Sequence, residues 1–238
     1  MNKNASLFTV KQILFIVLFL ESLAVVLAIA LALAADLPPK AYFGEVDDSG
    51  YITYVSFLQL SLAAVWSWKI FKTLKSSQRF SQGSFFWLII CLGLFFLALD
   101  DVIGIHEEID SWIHDIFGLE ETELSDLADD LIVGGYLVIS LIYVATKWQT
   151  VKIFQQSFSW FKLGFALTLV MIVLDLLSNN MLFFSMVTDN EALMLDLQQW
   201  FGVVEDSAKI FAEGMFLVGI YKCWQIAKTL DSQTRLSN

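Results

Sequence analysis

The sequence predicts an all-α polytopic membrane protein: a bundle of six transmembrane helices with both termini cytoplasmic. Three observations predict it. Hydrophobic residues make up 57% of the 238 residues and the mean hydropathy is +0.67, more apolar than one soluble domain sustains. Several apolar runs reach the ~20 residues needed to cross a hydrocarbon layer about 30 Å thick, and inside lipid such runs become helices because the backbone must satisfy its own hydrogen bonds. Finally, of the 14 Lys and Arg residues, all but Lys40 and Lys209 fall in segments assigned to one side of six spans. Basic residues stay on the cytoplasmic side.

The first span covers about 8–35. Lys3 and Lys11 precede or open it, and Ala32-Leu33-Ala34 before Asp36 imitates the end of a signal peptide. Its apolar run is longer than the ~7–15 residues of such a peptide, and Glu21 interrupts it, so an uncleaved helix is expected. The second span is about 51–73. Lys69, Lys72, Lys75 and Arg79 lead from it into the third, about 83–106. The fourth, about 129–150, and the fifth, about 158–184, are joined near Lys147, Lys152 and Lys162, and the sixth is about 197–227. Both prolines, Pro38 and Pro39, sit in the first outward loop and interrupt no span. The second outward loop is acidic, yet Ile109, Trp112, Ile113, Ile116 and Phe117 recur at helical spacing, which predicts a short interfacial helix over 107–118. Residues 1–238 read as a single transmembrane domain. Cys91 lies inside a span and Cys223 at the cytoplasmic end of another, so no disulfide is expected.

Charged groups within the bilayer are costly unless paired or hydrated, so each is a site candidate. Span three ends in LALDDVIGIHEE (97–108), which places Asp100, Asp101, His106 and Glu107 in and beyond its outer third. Asp175 opens a polar face on span five with Ser178 and Asn179. Span six carries Glu205, Asp206, Lys209 and Glu213, and Glu21 sits near the middle of span one. Glu205, Lys209 and Glu213 are spaced i, i+4, i+8 and share one helical face. One lysine offsets only part of that charge; bound protons, a metal ion or water must offset the rest. His106, Asp110 and His114 form a further i, i+4, i+8 row of metal-ligand type. Asp129 and Asp130 open span four near the interface.

The stretches LALDDVIGIHEE and EDSAKIFAEG (205–214) together resemble the pattern of a group of uncharacterised bacterial multi-pass membrane proteins: a Leu-Asp-acid motif, a His-Glu soon after, and a late helix with paired acids, a further acid and then Gly. The chain departs from that pattern with Asp101 in place of a glutamate and His106 one residue further along. The resemblance implies an architecture and no mechanism.

Function is expected to centre on a carboxylate-rich, histidine-containing site in the outer half of the membrane. Its candidate metal ligands are Asp100, Asp101, His106, Glu107, Glu205 and Asp206, with Glu21, Asp175, Lys209 and Glu213 as a proton or charge network. Carboxylates with one imidazole suit a divalent metal such as manganese, iron, calcium or zinc. Binding and transport of a divalent metal or of protons is the first expectation. The alternatives are a metal-dependent intramembrane enzyme acting on lipid, and a non-catalytic assembly or partner protein. The expected partners are membrane lipids and cations, and the expected location is the inner (plasma) membrane. No basic face or tail suits nucleic acid.

Overall fold

A computed structural model describes residues 8–43, 50–76, 80–105, 138–178 and 181–236, with single positions 108, 109, 112, 116, 135 and 136 between them. All regular structure among these residues is helical. Helix α1 (Val10–Ala34) opens with a capping box: Thr9 Oγ1 accepts from the Gln12 backbone N–H while Gln12 Oε1 accepts from the Thr9 N–H at 2.8 Å. Helices α2 (Ile52–Lys75) and α3 (Ser81–Ile103) follow. Gly104 terminates α3 in the left-handed conformation, φ 66° and ψ 44°, with its N–H on the Asp100 carbonyl at 2.8 Å. Thus α3 stops at Ile103, the last residue of Asp-Asp-Val-Ile, short of the expected end at 106.

Residues 138–146 are helical and lead through the short helix Trp148–Val151 and a 3-10 turn, Lys152–Ser157, into α4 (Phe158–Ser178). A further short helix, Met181–Ser185, precedes α5 (Glu191–Leu236). Asn190 caps α5, its Oδ1 accepting from the N–H groups of Ala192 and Leu193. α5 runs for 46 residues, well past both ends of the expected span. The expected interfacial helix over 107–118 falls mostly outside the described residues.

The contacts fix the relative directions. Phe8 meets Tyr221 while Glu21 meets Gly214, so α1 and α5 are antiparallel. Ser56 meets Asp101 and Phe71 meets Phe85, so α2 and α3 are antiparallel. Phe161 lies by Gly219 and Ser178 by Glu205, which makes α4 antiparallel to α5. Tyr143 stacks on Phe86 and Tyr136 meets Phe96, so the chain returns alongside α3 before α4 begins. α1, Gly83–Ile103 and Trp148–Ser178 are each long and apolar enough to cross a membrane. Large apolar side chains such as Phe15, Val26, Leu58 and Leu169 point outward, as lipid-facing surfaces require.

The core has two apolar layers. One gathers Val17, Ala63, Ile70, Trp87, Leu217 and Cys223, among others; the smaller one holds Ala28, Phe43, Ile52, Val203 and Ile210. Along α1, α2 and α5, polar residues occupy the interval between these layers.

Candidate functional site: a polar layer across four helices

α1 contributes Glu21 to this interval, α2 Ser56 and Gln59, α3 Asp101, and α5 Lys209 and Glu213. Ser56 and Gln59 share a face of α2 at i and i+3, and Lys209 and Glu213 are one turn apart on α5. Lys209 Nζ donates to Asp101 Oδ1 at 2.8 Å. The hydroxyl of Ser56 donates to Asp101 Oδ2. Gln59 Nε2 donates to Glu21 Oε1 at 3.0 Å. Glu21 has no solvent-accessible surface, and its Oε2, like Glu213 Oε2, has no hydrogen-bond partner among the described residues. Gly214 lets α1 come this close: a Cβ on it would collide with Glu21 Oε1 and crowd Val17.

The layer continues toward the Phe43 end of the bundle. Asp206 faces Lys40 at 3.7 Å, and the Lys40 side chain lies across Gly202. Glu205 turns instead to α4, where Ser178 Oγ donates to its Oε2 at 3.1 Å and Gln198 Nε2 donates to the Ser178 carbonyl at 3.0 Å. Asp175 supplies the carbonyl for the other contact of that serine hydroxyl and lies close enough to act electrostatically on Asp206. Asp100 is buried beside this layer.

The sequence-derived candidates therefore sort as follows. Asp101, Lys209, Glu213 and Glu21 come together. Glu205, Asp206 and Asp175 adjoin them at the Lys40 end. The i, i+4, i+8 row on α5 does not act as one face toward one partner, since Glu205 reaches α4 and Lys209 reaches α3. His106 and Glu107 lie outside the described residues, as do Asp110, His114, Asp129, Asp130 and Asn179. Among the described residues, no three His, Cys, Asp or Glu side chains gather as a metal site requires. The carboxylates expected to be ligands have other partners: Asp101 holds Lys209, Asp206 faces Lys40, and Glu205 accepts from Ser178. Sequence reasoning missed Lys40, Ser56 and Gln59. Lys40 had a signal, as the one basic residue assigned to an outward loop; Ser56 and Gln59 had only their helical spacing.

A profile of a domain of unknown function, DUF8692, matches residues 13–223. The chain belongs to the DUF8692 family. The DUF8692 region takes in every residue of the polar layer, from Glu21 to Glu213, and both stretches that carried the resemblance. No curated protein and no solved structure matches the chain.

Proposed function

We propose that this DUF8692 protein is a six-span inner-membrane protein with cytoplasmic termini that binds and moves cations, and that the cation handled in the polar layer is the proton. The alternating helix directions and the one-sided distribution of Lys and Arg support the topology. The observation that carries the functional reading is the convergence of Ser56 and Lys209 on Asp101, with the Glu213 carboxyl one helical turn from Lys209. A serine hydroxyl has one proton, and here it goes to Asp101, which also accepts from Lys209. Glu213 lies one turn beyond Lys209 on α5, with its buried Oε2 unpartnered among the described residues. Beyond it Glu21 extends the line of carboxyls toward the other face, and Asp206 and Lys40 extend it outward. Acids in such a row across a membrane mark a proton relay.

The test is flux in proteoliposomes that enclose a pH-sensitive dye, with an imposed potassium diffusion potential. The full chain is expected to acidify the lumen faster than protein-free vesicles. Glu213→Gln and Asp101→Asn are each expected to slow it about tenfold, a rise in barrier of about 1.4 kcal/mol. Wild-type rates equal to those of empty vesicles would overturn the reading. That outcome favours the second one, a non-transporting membrane partner, whose support is that Asp101, Asp206, Glu205 and Glu21 each have a partner within the bundle. Elemental analysis of the purified protein tests the metal version: a stoichiometric metal lost in Asp101→Asn would replace the proton as cargo or cofactor.

A further inference from the structure

At the opposite end of α2 and α5 from Lys40, lysines lie on aromatic rings. Lys69 Nζ stands 3.9 Å from the ring centre of Trp66 and 5.7 Å from that of Trp224. Lys228 Nζ, on α5, stands 4.5 Å from the same Trp224 ring. Two ammonium groups from two helices thus share one indole. The rings form a fixed shelf: Trp66 packs on Trp224 with centroids 4.5 Å apart, and both pack on Tyr221. Tyr221 is buried and its hydroxyl donates to the Phe8 carbonyl at 2.6 Å, which ties the shelf to the start of α1.

Among the described residues no carboxylate stands within ion-pair distance of Lys69 or Lys228; the ion pairs there are Lys40–Asp206 and Lys209–Asp101. The ring faces attract the two cations but leave their mutual repulsion in place. An anion between them would relieve it. The rings also hold both side chains near one position, which lowers the rotamer entropy that a free lysine loses on binding. A compact ammonium with three donors suits the oxygens of a phosphate. The shelf is open, since Lys69 is exposed and Lys228 is half-buried.

We propose that Lys69 and Lys228, on the Trp66–Trp224–Tyr221 shelf, bind a phosphate group. The phosphate comes from the headgroup of an anionic lipid or from a free phosphate in solution. This site is separate from the polar layer and does not depend on the proton reading.

The test uses the purified full chain. Native mass spectrometry scores retention of phosphatidylglycerol against phosphatidylcholine, and thermal unfolding is followed with and without inorganic phosphate. Retention of phosphatidylglycerol without stabilisation by phosphate supports the site with a lipid source, and stabilisation by inorganic phosphate alone supports it with a soluble source. In either case Lys69→Ala/Lys228→Ala is expected to weaken binding about tenfold. Lys69→Arg/Lys228→Arg keeps both charges and is expected to retain most of the binding, which separates loss of the site from failure to fold. Lys147→Ala/Lys162→Ala removes the same charge elsewhere. Equal loss in that control, or no preference for phosphatidylglycerol together with no effect of phosphate, overturns the proposal.

Discussion

Gly214 shows how one missing methyl group sets the geometry of the polar layer. Its Cα lies against the Glu21 carboxyl, so Gly214→Ala forces either the carboxylate or α1 to move. Small-to-large changes at such contacts cost about 1–3 kcal/mol. The expected result is a lower unfolding temperature in detergent and slower proton flux; Glu21→Gln, nearly the same size, is expected to keep the temperature within a few degrees while still slowing flux. An unchanged unfolding temperature in Gly214→Ala would mean that α1 does not approach α5 here. At this scale the sequence was half informative. Glu21, Asp101, Lys209 and Glu213 announced themselves, because a charge among apolar residues is visible without any structure. Ser56 and Gln59 did not, because serine and glutamine occur in membrane helices for many reasons, and only their partners on α1 and α3 distinguish them.

Among the elements, α5 departs furthest from expectation. Spacing put Glu205, Lys209 and Glu213 on one face, and intrahelical pairing was the simple reading. The helix instead sits among several others, so residues of one broad face reach different partners. Lys209 pairs with Asp101, more than 100 positions away in the chain, where one-dimensional spacing has no purchase. A double-mutant cycle of Lys209→Met and Asp101→Asn is expected to give a coupling of about 1–3 kcal/mol in unfolding free energy, with the double variant more stable than additivity predicts. Additive losses would mean the pair makes no net contribution. The end of α3 was legible in principle: Gly104 stands in LDDVIGIHEE as a helix stop, but the apolar residues around it favoured continuing the span to 106. Its left-handed backbone makes Gly104→Ala another position where a drop in stability of about 1 kcal/mol is expected from unfolding measurements.

For the whole molecule, the all-helical character and the apolar spans followed directly from composition, since lipid admits few other solutions. Side-to-side contacts did not, which is why the two apolar layers had no sequence counterpart and the polar interval between them was foreseen by its charged residues but not by their pairing. The topology is open to a direct check. In a chain with Cys91 and Cys223 replaced by alanine, Asn190→Cys is expected to react with an impermeant thiol reagent on intact cells, and Ser76→Cys only after lysis. Labelling of both from one side would overturn the alternation of spans. The position of α5 in the chain has one more consequence. It packs against α1, α2 and α4, and it brings the ammonium that faces Asp101. It is also synthesised after all of them. Until it enters the bilayer, the nascent chain holds Glu21 and Asp101 in helices that have not yet met their last neighbour. The polar layer is therefore closed by α5, and a ribosome stalled before Lys209 leaves an intermediate whose acids are exposed to the membrane's own quality-control machinery.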